Sequence, residues 1–405
     1  MFDFIKDMLR QAFISKKKEY YLWLGFLVFL IGLGAISYFK QYTTGLIVTN
    51  LRDQVSWGFY IANFTFLVGV AAAAVMLVIP AYIYHFKPIK EIVLFGEMVA
   101  ISAIVMCIML VMIDMGKPLY AWHIMWTPNW PQSMLVWDVI VLNGYLMINV
   151  AAVSYVLYKL AHNEEYSMKV MWPIVLLSIP WAISIHTVTA FLYNGLVSRP
   201  FWNASIIAPR FIASALCSGP ALMLLIFQIA RKVSRVDISD VAIFKIAELV
   251  AYTMAFNLYL YAAELFKEFY SASLHMAPME YLFYGLHGHD NLVPFTWMAL
   301  FFNLTAFIVF LIPKTRRHFP TLNLACILVI VGVYIEKGMG LIFPGFIPGS
   351  LGEIYPYMPN AEEIKITIGV WASGALLYTL MFKTAIPIYL GDLRMKTPKL
   401  EQIRK

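Results

Sequence analysis

The stretch EIVLFGEMVAISAIVMCIMLVMIDMGKP, Glu91–Pro118, decides the fold of this chain. Between Glu91 and Asp114 its one charged residue is Glu97, and the remainder is almost wholly apolar. Covering the hydrocarbon core of a bilayer takes ~20 residues of helix. Lipid offers the backbone no hydrogen-bond partner, so a run of this kind crosses as a helix. Nine more runs of similar character flank it. The ten candidate spans are Tyr21–Phe39, Val55–Tyr84, Ile89–Met115, Met134–Leu160, Val170–Tyr193, Ile206–Ala230, Val241–Tyr270, Val293–Ile312, Leu322–Phe343 and Ile364–Leu390. The fold class expected is an all-α integral membrane protein.

Lys and Arg set the orientation. The N-terminal segment holds Lys6, Arg10, Lys16, Lys17 and Lys18. Every second linker after it is basic: Lys87/Lys90, Lys159/Lys169, Arg231/Lys232/Arg235 and Lys314/Arg316/Arg317. The tail adds Arg394, Lys396, Lys399, Arg404 and Lys405, whereas the intervening linkers hold little beyond Arg52, Lys117 and Arg199. The positive-inside rule then places both ends in the cytoplasm, as an even number of spans requires. At 405 residues, 61% hydrophobic and 13% charged, little chain is left for a soluble domain. The net charge of +7 sits on the short basic linkers, where topology and anionic headgroups account for it, so it is no nucleic-acid footprint. Residues 1–20 read as an amphipathic cytoplasmic surface helix and lack a signal-peptide pattern. The location expected is the cytoplasmic (inner) membrane, multi-pass.

The cysteines Cys107, Cys217 and Cys326 stand alone in three different spans. No Cys-x-x-Cys, ferredoxin spacing or haem-attachment motif accompanies them, so neither an iron–sulfur cluster nor a covalent haem is expected here. A bis-histidine haem needs two imidazoles at matched depth, and of eight histidines only His186 lies well inside a span. His287-Gly288-His289-Asp290 supplies too few ligands for a committed metal site. No metal site is expected.

A weak internal repeat runs through the chain. Phe59-Tyr60-Ile61-Ala62 with Gly69-Val70-Ala71 in the second span is matched by Arg210-Phe211-Ile212-Ala213 with Gly219-Pro220-Ala221 in the sixth. Glu97 precedes Asp114 in the third span much as Glu248 precedes Glu264 in the seventh. Spans four apart run in the same direction, which predicts two parallel-related four-helix bundles. The expected organisation is therefore 1–20 surface helix, 21–54 first span and outer linker, 55–204 first bundle, 205–345 second bundle, and 346–405 outer loop end, last span and basic tail.

Ionisable side chains inside a bilayer are expensive, which makes each a functional candidate. Asp114, Asp138 and His186 fall on three consecutive spans at similar depth near the outer face, where a bundle can converge them. A carboxylate–imidazole pair in a partly dry pocket has the chemistry to take protons from a quinol hydroxyl. Arg210 is read as their charge partner, and Trp137 and Trp181 as flanks for a ring. Glu97 and Glu248, each ~10 Å from the cytoplasmic surface, with Glu264, suggest a proton relay; the plainer alternative is structural glutamates paired to Lys245 or Lys383. The carboxylates of Asp53 and Glu268 and the ammonium of Lys267 read as solvated helix-end groups. A Trp/Pro-rich linker, 116–133, suits the headgroup region, and the linker 343–363 is a candidate docking surface.

Asp114-Met115-Gly116-Lys117-Pro118, followed by an aromatic linker and Ser133-Met134-Leu135-Val136-Trp137-Asp138, resembles the signature of the NrfD/polysulfide-reductase (PsrC) membrane-subunit family. That family shows Asp-Leu-Gly-Arg-Pro here, so Met115 and Lys117 are mild departures. Trp57 to Ala74, Ser184-Ile185-His186-Thr187 through Pro200, Arg210 and Gly219 are similar to it as well. Within the family the chain most resembles the ten-span DsrP/Hme subunit of the DsrMKJOP complex. The resemblance implies a cofactor-free membrane subunit of a respiratory redox complex, tied to sulfur or sulfate metabolism. It would bind menaquinone near the outer face, with quinone-site acids at Asp114 and Asp138. It would exchange electrons with an extracytoplasmic ferredoxin-like iron–sulfur subunit, beside a multihaem cytochrome c and other membrane subunits, and would act only with them. A secondary transporter and a passive membrane scaffold are the rival classes.

Overall fold

The computed structural model describes residues 2–15, 17–272, 276–349 and 351–395. Among the described residues ten helices are long and apolar enough to cross a membrane: α1 Lys18–Thr44, α2 Phe59–Ile83, α3 Val93–Asp114, α4 Met134–Ala161, α5 Met168–Asn194, α6 Ile207–Val233, α7 Asp240–Ser271, α8 Val293–Leu311, α9 Phe319–Phe346 and α10 Ala361–Tyr389. The same residues contain no strand, only the isolated bridges Arg52–Val55 and Leu286–His289. Each of the ten expected spans is a helix. The ends move by a few residues, because capping fixes them where hydropathy is silent. Gly45, at φ +93°, stops α1 five residues past Phe39. Asn360 and Glu363 form a capping box that starts α10 three residues early.

The spans close into two rings. Helices α2, α3, α4 and α5 pack in sequence and α5 returns to α2, while α6 to α9 do the same and α9 returns to α6. The rings meet through α2 against α6 and α9, and through α5 against α6. Helices α1 and α10 pair with each other outside the first ring, where α10 lies on α3 and α4. The repeat motifs are the seam: a Cβ on Gly219 of α6 would overlap Ala73 Cβ and stand 3.3 Å from the Gly69 carbonyl of α2. Small residues permit this backbone approach, which supplies van der Waals contact where lipid gives helices no hydrophobic drive to associate. A similar crossing joins α1 to α10, where a Cβ on Gly34 would fall 2.8 Å from Gly369 Cα.

Both described chain ends lie on one face, here called terminal. Lys17 Nζ reaches the Val233 carbonyl at 3.4 Å, the Met395 backbone N–H donates to the Ala161 carbonyl, and Arg235 pairs with Asp392 there. The amphipathic helix Phe2–Phe13 packs on α10 at this face. Of the basic tail, Lys396, Lys399, Arg404 and Lys405 fall outside the described residues, as does Lys16 of the N-terminal group. The opposite, distal face carries the linkers after α1, α3, α5, α7 and α9.

Two π-helical turns interrupt the spans. One, Ile79–Ile83, ends α2 around Pro80; the other, Tyr334–Met339, lies inside α9. The second carries Glu336 and Lys337 inside the ninth span. The helix continues to Phe346, and both residues are buried within it. Glu268, read as solvated, is also buried, with Lys267 Nζ donating to its Oε1 at 2.8 Å.

Candidate functional site

A cavity of about 550 Å³ forms a slot between the two rings, walled by α2, α5, α6 and α7. Along α2 it runs from Ala72 to Tyr84, roughly 18 Å at 1.5 Å per residue. The π-helical turn with Ile79 and Pro80 forms part of its wall. It opens sideways at the perimeter, where Ile183 and Tyr84 are 48% and 76% exposed. Its lining is apolar except at two levels. Lys245 stands near the terminal face, with Nζ 3.2 Å from Glu248. His186 of α5 closes the distal end; it is 2% exposed, and among the described residues neither ring nitrogen has a hydrogen-bond partner. Buried imidazole nitrogens without partners are costly to leave so, and in a native structure they ask for an explanation.

Above His186 the interior of the first ring is polar. One turn on, Thr189 Oγ1 donates to Oδ1 of the buried Asp138 at 2.6 Å, joining α5 to the first turns of α4. One turn further, the Tyr193 hydroxyl lies 2.5 Å from Thr65 Oγ1 of α2. Tyr193 then enters an aromatic cluster at the distal end. Its ring is 5.6 Å from Trp57 and from Trp202, and Trp202 packs edge-on to Phe346 at 5.0 Å. Trp202 Nε1 donates to the Leu341 carbonyl at 2.8 Å, so the cluster ties the first ring to the second.

The second ring holds a compensated charge cluster. Arg210 of α6 pairs with Glu264 of α7 and, at 2.8 Å, with Glu336 of α9, and its guanidinium lies 4.9 Å from the Tyr261 ring. Asn303 of α8 donates to the other Glu336 oxygen at 2.8 Å. Lys337 is buried beside them, donating to the Phe211 carbonyl at 3.3 Å with its ammonium 4.4 Å from that ring. Arg210, Glu336 and Lys337 line a chamber of about 30 Å³ with Ser214, Tyr261 and Thr296.

Asp114 sits in a third polar group, where α3 meets α1 and α10 at the distal face. Its Oδ1 is buried without a hydrogen-bond partner among the described residues. Gln41 of α1 bridges the neighbourhood, donating to the Ile113 carbonyl at 2.9 Å and accepting from the Tyr60 hydroxyl at 2.7 Å. Asp114 is within electrostatic reach of Tyr60 and of Glu363. Glu363 takes the Tyr357 hydroxyl and the backbone N–H of Asn50 and Asn360. Burial and the Glu363 charge push the Tyr357 phenol well above its ordinary range, so it remains a donor.

The structure therefore gathers Asp138 and His186 on consecutive levels of the first ring, with only His186 in the slot. Asp114 stands nearer the α1–α10 pair, and Arg210 belongs to the second ring. Trp181 is fixed in the α4–α5 interface, donating to the Val141 carbonyl at 2.8 Å and lying across Gly144. Trp137 stacks on Trp130 at 3.8 Å and donates to the Pro131 carbonyl. Glu97 is buried in α3, within electrostatic reach of Tyr82 and Tyr145, whereas Glu248 sits half-buried with Lys245 and Tyr252. Glu264 is committed to Arg210. Among the described residues no group of three His, Cys, Asp or Glu side chains is placed to hold a metal. Gln41, Tyr60, Tyr193, Trp202, Asn303 and Glu363 join these sites without a signal in the sequence: uncharged side chains and helix-end acids are common in any span.

Ten membrane-crossing helices in two rings, with buried ionisable groups toward the distal face, define a polytopic helical membrane protein. The chain belongs to the polysulphide reductase, NrfD family, whose model matches residues 47–347, the two rings without α1 and α10. It is 26% identical, over 88% of each chain, to a putative dimethyl sulfoxide reductase membrane subunit of Halobacterium salinarum. It is 24% identical to an Hdr-like menaquinol oxidoreductase integral membrane subunit of Archaeoglobus fulgidus, covering 90% of this chain and 93% of that one. A menaquinone reductase integral membrane subunit of Nitratidesulfovibrio vulgaris is 22% identical over 92% of each.

Proposed function

We propose that the chain is the quinone-reactive membrane subunit of a respiratory redox complex in the cytoplasmic membrane, with both ends cytoplasmic and the distal face outward. The observation that carries this is His186: a buried imidazole with two free nitrogens, ending an apolar slot open to the membrane's side. Ligand sites in helical proteins are mostly apolar with few polar groups, and this slot has that character. An amphiphile with a polar ring and a polyprenyl tail fits such a lining, and the names of two relatives contain menaquinol or menaquinone.

Menaquinol supplies two electrons and two protons on oxidation. His186 accepts a proton from the ring hydroxyl as a neutral imidazole, since its nitrogens are uncommitted. Asp138, held by Thr189 one turn nearer the distal face, is the next acceptor, and Asp114 is the outlet to that face. The aromatic cluster of Trp57, Tyr193 and Trp202 excludes water above the slot. Electrons pass to an iron–sulfur partner subunit on the distal face, with sulfur or sulfate metabolism as the setting. Glu97 is the candidate entry for protons from the terminal face.

Replacing His186 with Leu in the assembled complex tests this. Menaquinol-analogue oxidation should fall about 100-fold, the scale of a lost general base, with the complex still assembled. Unchanged turnover removes the slot from the reaction, and purified subunit that retains no quinone favours a scaffold.

A further inference from the structure

We propose that Lys337 is a proton-relay residue standing in the wall between the slot and the polar chamber of the second ring. The inference rests on the quinone-reactive reading of the slot given above. Lys337 belongs to α9, yet the π-helical turn Tyr334–Met339 carries it to the seam between the rings. A Cβ built on Gly69 of α2 would lie 3.2 Å from Lys337 Nζ and 3.5 Å from Ala215 Cα of α6. Ala215, with Ile212, forms slot wall, while Phe211 and Ser214 on the same helix line the chamber. The Lys337 amine thus occupies the place where α2 lacks a side chain and where Ala215 of the slot wall also approaches.

Two further observations set Lys337 apart from a structural cation. The adjoining Glu336 is already occupied by Arg210 and Asn303, and the hydrogen bond Lys337 makes is to a carbonyl. Its charge also reaches His186 across the seam. The other ionisable groups facing it are Cys107 of α3, Cys217 and Arg210 of α6, and Glu336 on its own helix. On the chamber side, about 30 Å³ is room for a water or two beside Ser214, Tyr261 and Thr296.

The balance is simple. The quinol O–H bond breaks and a proton binds His186; it then leaves the imidazole for the Lys337 amine, which becomes ammonium. The ammonium passes it to a water in the chamber beside the Arg210–Glu336 pair, the second quinol proton leaves by way of Asp138 and Asp114, and the two electrons go to the iron–sulfur partner. A cation arriving in the chamber strengthens the hold of the two carboxylates there and is driven on toward the distal face. Lysine suits this role because an amine can shed its proton, which a guanidinium does not do.

The test uses the assembled complex in liposomes, with a menaquinol analogue as donor. Lys337→Met should lower kcat about 100-fold while leaving KM for the analogue unchanged. Lys337→Arg should not restore it, because a guanidinium keeps its proton. Restoration by Arg would make Lys337 a structural charge and overturn the relay, as would wild-type turnover in Lys337→Met. If the Arg variant does not assemble, the kcat-against-KM split in Lys337→Met decides. Failure of the slot itself reads differently: His186→Leu would then turn over normally, whereas a failed relay leaves His186→Leu inactive and Lys337→Met active.

Discussion

One guanidinium, that of Arg210, is shared by Glu264 and Glu336 in a setting where the two carboxyl side chains are 5% and 4% exposed. Arg210→Met leaves two acids facing each other without compensation, and it removes the contact with the Tyr261 ring. Breaking a buried pair by deleting one partner costs about 3–5 kcal/mol. At about 1.4 kcal/mol per factor of ten, that is a shift on the order of a hundred- to several-thousand-fold in the folding equilibrium. The triple variant Arg210→Met, Glu264→Gln, Glu336→Gln removes the charges together and should recover most of the stability, since the amide oxygen introduced at position 336 can still accept from Asn303. The assay is thermal loss of monodisperse complex in detergent. Wild-type melting in the single variant would show that the cluster is hydrated. A triple variant as damaged as the single would show that Arg210 acts by packing.

Two further outcomes are expected. Gly219→Val places a side chain where an added Cβ already overlaps that of Ala73; backbone cannot yield cheaply there, so the seam should lose about 1–3 kcal/mol or more. The same thermal assay and slot occupancy by a quinone analogue should both suffer, and an intact seam would contradict the close crossing. Asp114→Asn should abolish quinol-dependent reduction of the partner while assembly persists; unchanged turnover takes Asp114 out of the proton route.

The spans were legible because hydropathy adds along the chain and lipid forces each apolar run into a helix. The two bundles were legible through the repeat to which Gly69 and Gly219 belong, but that these glycines form the seam emerges only from packing. The side-chain groupings were not. Asp114 and His186 fall at similar depth by span position alone, but which way a helix faces turns by about 100° per residue. The structure turns Asp114 toward Gln41 and Glu363, contributed by the first and last spans. Nothing local marks Glu363 as a neighbour of residue 114. The π-helical turns were equally invisible: Tyr334–Met339 reads as ordinary apolar helix with a charged pair, and only packing reveals that it brings Lys337 to the seam.

The two rings pack their helices in the same order, yet their polar interiors differ in kind. The first ring keeps its ionisable groups singly: His186 with both ring nitrogens open, Asp138 with one hydroxyl, Asp114 with an open oxygen among the described residues. Such groups change protonation with little loss of existing bonds, as an acceptor must. The second ring binds its carboxylates to Arg210, so adding a proton there breaks an ion pair. On the proton-transfer reading proposed above, protons would settle first in the first ring. The slot lies between the two rings, and Lys337 is a cation buried at their seam. A directional relay of this sort would need one side easy to protonate and the other reluctant, and the two rings offer single groups on one side and paired ones on the other.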